Sequence, residues 1–222
     1  MMMPNHVPEQ SDRPSGVRSR KPTYVIATEG EKTEPDYFAY LDRLHQDINV
    51  IVLPADDGHS QPRQVLDKLL CRKQELNSEE LKTYHYWIVF DHDLRQRPEL
   101  EKVMKDAEDN EISVADSNPC FEAWLIQHFG PLAEILELSH RKPVKGCRYV
   151  INNHLKKPEF DPKYRKGRLD SSIYMPKVNS AIENAEYDED IASNVDDFRY
   201  TGSRVHKLVK EIHSGDRPAP VG

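Results

Sequence analysis

The chain has 222 residues, of which 37% are hydrophobic and 31% are charged, and its formal net charge is −7 at pH 7. This composition is compatible with a folded core, but the acidic balance argues against broad non-specific electrostatic binding of nucleic acid, which needs an excess of Lys and Arg. No apolar run approaches the roughly 18 residues of a membrane span, and the opening MMMPNHVPEQ lacks a secretory signal, so we expect a cytoplasmic protein without a membrane partner.

The first predicted strand follows a predicted tail. Residues 1–22 combine Pro, Ser, Gly and Arg without periodicity, which predicts a disordered segment. The run TYVIAT at residues 23–28 is β-branched, aromatic and apolar on both faces, as in a strand that helices cover on both sides. Thr33 is predicted to cap a helix that begins near Pro35, and this helix completes a first β-loop-α unit.

Two further units and a fourth strand follow along the chain. Residues 50–55 predict a second strand, and Pro62 opens the next helix. Residues 85–90 predict the most apolar strand, a helix follows from Pro98, and residues 112–115 predict a fourth strand. Repeated βα units of this kind predict an α/β fold with a parallel sheet flanked by helices.

The domain organisation follows from where the strand signal ends. We expect the α/β core over residues 23–130, a helical extension packed on that core over residues 131–214, and a flexible end over residues 215–222. Helical periodicity within the extension is predicted over residues 132–138, 144–155, 175–185 and 205–212.

The cysteines carry no recognisable framework. They lie far apart and form no CxxC pair, so neither a zinc knuckle nor a disulfide framework is expected. We expect small buried hydrophobic residues at Cys71, Cys120 and Cys147.

Acidic side chains follow two of the predicted strands. Glu29 closes the first strand, and Asp91 and Asp93 close the third, where alternation points both aspartates to the same side. Ligands collect at the carboxyl ends of parallel strands, and clustered carboxylates are stable chiefly around a hard divalent cation such as Mg²⁺. Glu122, four residues after Asn118, is a candidate for the same site, although any one of these acids alone can be a solvated loop residue or a helix cap.

The pattern of Glu29-Gly30 after one strand and Asp91-x-Asp93 after another resembles the Toprim domain of primases, topoisomerases and OLD-family nucleases. More narrowly, five blocks resemble those of the RloB-like family. They are TEGEKTEPDYF (residues 28–38), GHSQPRQVLDKL (58–69), VFDHD (89–93), SNPCFEAWLIQHF (117–129) and RVHKLVKEI (204–212). The resemblance implies a Toprim-like domain and a nuclease from bacterial anti-phage loci, a toxin or effector of abortive infection that acts with a co-encoded ABC-type ATPase.

Carried onto this chain, the resemblance implies core ligands of Mg²⁺ or Mn²⁺ at Glu29, Asp91 and Asp93, and an additional ligand at Glu122. Such an ion lowers the pKa of a bound water, and Glu29 could instead accept the proton of that water. Lys32, in the loop after the first strand, is a candidate to neutralise charge on the phosphorus, or else a solvated lysine. Three nearby residues could support these ligands: Glu31, Glu34 and Asn118.

Two further segments are candidates for contact with nucleic acid. The substrate could be DNA or RNA, and the resemblance suggests tRNA. His59 and Ser60 precede the helix opened by Pro62, where backbone amides can bind phosphate, although a simple turn is the competing interpretation. A later segment interleaves basic groups with an aromatic ring, as in a nucleic-acid interface, or forms a charged solvated loop. Its candidate residues are Lys163, Tyr164, Arg165, Lys166 and Arg168.

Other functions fit the residues less well. The segment GEKT lacks the glycine spacing and the Gly-Lys pair of a phosphate-binding P-loop, so ATP hydrolysis is not expected. His92-Asp93 follows a strand, unlike the helical motif of HD phosphohydrolases, and Leu94 together with the Glu29 block weakens a haloacid-type phosphatase. The alternative that stays open is a non-catalytic regulatory or adaptor subunit that docks to the ATPase, and a homodimer is also open.

Overall fold

A computed structural model describes residues 21–56, 61–92, 97–137, 146–192 and 201–214. Most of the predicted tail and the whole predicted flexible end lie outside these ranges. The same holds for three predicted site residues: His59, Ser60 and Asp93.

Five strands form one sheet in the order β2-β1-β3-β4-β5. The first four strands are parallel, and β5 pairs antiparallel with β4. This architecture confirms the predicted α/β class with a mostly parallel sheet. The strands are β1 (Thr23–Thr28), β2 (Asn49–Leu53), β3 (Tyr84–Asp91), β4 (Ser113–Asn118) and β5 (Gly202–Ser203).

Helices connect the strands and continue beyond β4. Those that alternate with the parallel strands are α1 (Thr33–Leu44), α2 (Pro62–Gln74), α3 (Ser78–Thr83) and α4 (Arg97–Glu108). After β4 the chain forms α5 (Glu122–Gln127), α6 (Leu132–Ile135), α7 (Cys147–Val150), α8 (Ser171–Tyr174), α9 (Val178–Ile191) and α10 (Val205–Ser214). A π-helical turn (Ile151–Leu155) follows α7, and a 3-10 turn (Met175–Lys177) follows α8.

Both faces of the sheet are buried, which explains the continuous apolar runs in β1 and β3. Tyr24 and Ile26 belong to the hydrophobic cluster on one face, and Val25 and Ala27 belong to the cluster on the other face. Alternate residues of a strand point to opposite faces, so a strand that is covered on both sides has no polar face. The core therefore consists of two layers separated by the sheet.

The segment after residue 130 shares this core and closes one edge of the sheet. Tyr24 donates its hydroxyl to the backbone oxygen of Glu211 in α10, and Val205 and Leu208 are fully buried. The two residues of β5 were not predicted as a strand, because a pair as short as Gly202–Ser203 has no measurable periodicity. In the part of the chain that the structure describes, no helix combines the length and apolarity needed to cross a membrane.

Several element bounds differ from the sequence prediction. The fourth strand extends to Asn118 rather than ending near residue 115. Thr33 is the first residue of α1 and provides no side-chain cap. Its hydroxyl oxygen instead accepts a hydrogen bond from the backbone N–H of Gly167 at 2.9 Å. The local pattern predicts that Thr33 caps the helix. Its side chain instead bonds to a residue 134 positions away in sequence.

Candidate functional site

The acid that follows β1 lies directly on the end of β3. Thr28 is paired with Val89 in the parallel ladder, and the backbone N–H of Glu29 continues that ladder with a 2.9 Å bond to the Val89 oxygen. The side chain of Glu29 then turns toward the neighbouring strand, where Oε2 accepts the backbone N–H of Asp91 at 2.9 Å. The structure thus brings these two predicted site residues together.

Asp91 is held against the start of the helix that follows β4. Its Oδ1 accepts the backbone N–H of Phe121 at 2.8 Å, immediately before α5. Burial raises the pKa of Asp91 well above its usual range, and the neighbouring carboxylates of Glu34, Glu122 and Glu29 raise it further. These four acids form the carboxylate cluster. Such a cluster is costly unless protons or cations offset its charge.

Glu34 belongs to this cluster more closely than the sequence suggested. It lies in the first turn of α1, is only 4% exposed, and its carboxylate packs against Gly30, where an added Cβ would lie 1.7 Å from Oε2. Burial raises the pKa of Glu34 to about 7, and the charges of Glu122 and Glu29 contribute to the rise. A side chain at position 30 therefore fits only if the carboxylate of Glu34 moves away.

Glu122 is the first residue of α5 and is 1% exposed. Its Oε1 accepts a 2.7 Å hydrogen bond from the hydroxyl of Tyr164, and its Oε2 accepts a 3.3 Å bond from the Cys147 thiol. Both donors come from the segment after residue 145. This acid therefore links the carboxylate cluster to the helical part of the chain.

The remaining predicted supporting residues are Glu31 and Asn118. Glu31 is exposed and is not among the residues whose charge acts on Asp91. Asn118 is half-buried at the end of β4, where it pairs with Gly202 in the sheet. Asp93 follows Asp91 by two positions but lies outside the described residues.

A lysine from the distant loop at residues 161–170 provides the positive charge at the cluster. Desolvation is the largest single influence on Lys166 and lowers its pKa, but the charges of Glu122, Asp91 and two cysteines together raise the pKa above its usual range. Reciprocally, the charge of Lys166 lowers the pKa of Asp91. Lys32, the lysine that the sequence suggested for this role, is exposed and packs its side chain near Gly167. The structure therefore associates Lys166 with the cluster.

The loop that carries Lys166 is anchored on both sides of that residue. On one side Tyr164 is bonded to Glu122, and on the other side the Gly167 N–H donates to the Thr33 hydroxyl. Gly167 has a φ of +79°, a left-handed conformation in which glycine is the least strained residue. These contacts hold the loop over the carboxyl edge of the sheet.

The predicted nucleic-acid segment divides into buried and exposed residues. Tyr164 is 2% exposed, so its ring cannot stack on a base. The predicted contact of Tyr164 with nucleic acid is therefore wrong, and its hydroxyl bonds to Glu122 instead. The side chain is buried because its hydroxyl satisfies a buried carboxylate. The residues of the segment that do lie on the surface are Lys163, Arg165, Lys166 and Arg168.

A second buried charge network was missed by sequence reasoning. Asp116, inside β4, is 4% exposed, with Oδ2 lying 2.7 Å from His92 Nε2 and 3.1 Å from Arg204 Nη1. Burial alone would raise the pKa of Asp116, but the adjacent His92 side chain and the charge of Arg204 keep it below its usual range. An aspartate directly after the predicted strand at residues 112–115 was the available signal. The network ties the segment around β5 to β4.

Burial was predicted for all three cysteines, and the structure confirms it for Cys120 but not for Cys71 and Cys147. Cys71 is exposed, Cys120 is buried and Cys147 is half-buried. Cys120, Glu122 and Cys147 place one potential ligand atom each within 4.8 Å of one another. Among the residues that the structure describes, this is the group that meets that spacing. Two cysteines that are 27 positions apart in sequence are thus brought to the same carboxylate.

The fold and the site define a mostly parallel α/β protein with clustered carboxylates where β1 and β3 end. The model of the RloB-like protein family matches residues 24–212, and the chain therefore belongs to the RloB-like family. No curated protein and no solved structure gives a significant match to the chain.

Proposed function

We propose that this protein is a Toprim-type nuclease that hydrolyses phosphodiester bonds of nucleic acid with Mg²⁺ or Mn²⁺. The observation that carries the proposal is the hydrogen bond between Glu29 and Asp91, which joins the acids of two strands that are 62 positions apart. Glu34, Glu122 and Glu29 lie close enough to Asp91 for their negative charges to act on it. A hard divalent cation is the partner that best offsets these charges.

The donor set suits these ions because it consists of carboxylate oxygens. Glu29 and Asp91 would hold the metal, together with Asp93, which follows β3 by two positions, and Glu122 is proposed as an additional ligand. When bound, the ion supplies polarisation of a phosphate oxygen and a lowered pKa for a coordinated water.

The protein groups around these ligands have distinct proposed tasks. Glu34 is proposed to accept the proton of the attacking water, since its pKa of about 7 is close to the value at which a general base is effective. Lys166 is proposed to stabilise the negative charge that develops on the phosphoryl oxygens, in place of Lys32. Contacts of Tyr164 and Gly167 fix the backbone of its loop on both sides of Lys166.

The acidic net charge calls for local attraction of the substrate. We propose that the exposed basic residues of the loop at residues 161–170 contact a nucleic acid, either RNA, such as tRNA, or DNA. Family membership supports a role in the cytoplasm as an effector of abortive infection that acts with a co-encoded ABC-type ATPase. Such a nuclease would be latent without that partner, because an unrestrained one would damage its own host.

The test combines purified protein, with and without the co-encoded ATPase, with tRNA, other RNA and plasmid DNA in Mg²⁺ or Mn²⁺. Cleavage should fall by at least about 100-fold in Glu29→Gln and Asp91→Asn. The matched controls Glu183→Gln and Asp36→Asn change exposed acids elsewhere and should cleave normally. Cleavage that survives the two site substitutions would refute the site. Absence of cleavage in every condition, with the ATPase bound, would instead support an adaptor.

A further inference from the structure

Two thiols and a carboxylate converge beside the carboxylate cluster. Cys120 and Glu122 flank the start of α5, and Cys147 begins α7. Their three candidate ligand atoms lie within 4.8 Å of one another, and the Cys147 sulfur is 3.3 Å from Glu122 Oε2. This group is called the thiol site below.

The separation between the Cys147 sulfur and the Glu122 oxygen suits a tetrahedral zinc centre. Zn–S bonds of about 2.3 Å and Zn–O bonds of about 2.0–2.2 Å place neighbouring ligand atoms roughly 3.5 Å apart. The observed 3.3 Å between the Cys147 sulfur and the Glu122 oxygen is close to that ligand-to-ligand separation. Thiolate ligands favour Zn²⁺, whereas Mg²⁺ prefers oxygen donors alone, so the thiol site differs in its metal preference from the carboxylate cluster.

The surroundings hold the ligands in place. The backbone N–H of Phe121, between Cys120 and Glu122, is bonded to Asp91, and the Ala123 N–H is bonded to the Cys120 oxygen at 2.8 Å. Tyr164 donates to the other oxygen of Glu122, which orients that carboxylate as outer partners of metal ligands commonly do. Cys147 is half-buried, so this member of the thiol site is in contact with solvent.

We propose that Cys120, Glu122 and Cys147 bind one Zn²⁺ ion, with the fourth coordination position left to water. The ion would cross-link α7 to the start of α5. Because the Phe121 N–H that bonds to Asp91 lies between two of its ligands, the thiol site adjoins the carboxylate cluster and shares Glu122 with it. The proposal does not rest on the proposed nuclease function.

The test uses the full chain, purified under reducing conditions and freed of metal. Zinc analysis after reconstitution should find one ion per chain, and Co²⁺ should give sulfur-to-cobalt charge-transfer absorption together with the visible bands of a tetrahedral site. Cys120→Ser and Cys147→Ser should each weaken Co²⁺ binding by at least about tenfold and reduce the charge-transfer absorption. Cys71→Ser, which changes an exposed cysteine, is the matched control and should bind Co²⁺ like the unmodified chain.

A second measurement covers variants that fail to fold. In the unmodified chain, Zn²⁺ should slow maleimide labelling of Cys147 while Cys71 reacts at an unchanged rate. Absence of the charge-transfer absorption, its survival in both serine variants, or labelling of Cys147 that is indifferent to Zn²⁺ would overturn the proposal. Zinc binding in a chain that never cleaves nucleic acid would support the thiol site while the nuclease proposal fails. Cleavage of nucleic acid without zinc binding would support the nuclease proposal while the thiol site fails.

Discussion

Glu29 Oε2 accepts the backbone N–H of Asp91 at 2.9 Å, so the acid that follows β1 is fastened to the last residue of β3. The bond uses only one carboxylate oxygen of Glu29 and leaves the side chain of Asp91 to reach the start of α5. The carboxyl edge of the sheet is therefore organised by contacts between acids and backbone, which position negative charges that would otherwise repel one another.

Gly30→Ala should impair the carboxylate cluster with little effect on folding. The added Cβ would lie 1.7 Å from Glu34 Oε2, so the flexible end of Glu34 must move away. We expect weaker Mg²⁺ binding by isothermal titration and a change in stability of less than about 1 kcal/mol by chemical denaturation.

The double variant Gly30→Ala/Glu34→Ala provides the control for this steric contact. The three atoms nearest to the added Cβ all belong to Glu34, so Gly30→Ala should have a smaller effect on Mg²⁺ binding once Glu34 is shortened. Equal effects in the two backgrounds would show that the conformation of the loop, and not the collision, is responsible.

Lys166→Met should lower kcat by at least about tenfold while increasing the affinity of the protein for Mg²⁺. The ammonium now offsets part of the charge on Asp91 and Glu122, so its removal leaves a stronger field for the ion. Lys163→Met changes a lysine of the same loop that is not among the charges acting on Asp91, and it should affect KM more than kcat. If Lys32→Met lowers kcat and Lys166→Met does not, the assignment of the lysine is wrong.

The metal-free protein should lose stability as pH rises from 5 to 8. The folded-state pKa of Glu34 is about 7 against 4.5 for the free side chain, so the folded state binds the proton more tightly and is favoured at low pH. Between pH 5 and pH 8, Glu34 alone should lower the free energy of unfolding by on the order of 2–3 kcal/mol. Urea denaturation in EDTA should show a smaller loss for Glu34→Gln than for the exposed control Glu99→Gln. Added Mg²⁺ should restore stability at pH 8, and a rise in metal-free stability over this interval would contradict the linkage.

Tyr164→Phe and Tyr174→Phe each remove a buried hydroxyl that donates to a carboxylate. The bonds are 2.7 Å to Glu122 and 2.8 Å to Asp161. Each variant should lose about 1–3 kcal/mol of unfolding free energy, since a buried acceptor loses its donor. Only Tyr164→Phe should also change divalent-metal affinity, because Asp161 is outside the site. Equal metal binding in both variants would argue against a supporting role for Tyr164.

The local pattern of the sequence was sufficient for the sheet and for part of its acidic edge. A run such as TYVIAT, apolar on both faces, needs cover on both sides, and the carboxyl ends of parallel strands meet at one edge. The proximity of Glu29 and Asp91 could therefore be anticipated from neighbouring residues alone. The short strand β5 could not, because two residues carry no periodicity.

The tertiary structure decided which groups from the rest of the chain reach that edge. Lys166, Cys147 and Tyr164 arrive because the chain returns over the sheet after α5, and Gly167 is tied to Thr33 from 134 positions away. Their residue types are as common in solvated loops as in sites, so spacing along the chain could not distinguish Lys166 from Lys32 or pair Cys120 with Cys147. Only the fold brings Tyr164 and Cys147 to hydrogen-bond Glu122 and brings the charge of Lys166 close to Glu122 and Asp91. Glu122 has these defined partners because a polar group removed from water must be satisfied by other polar groups.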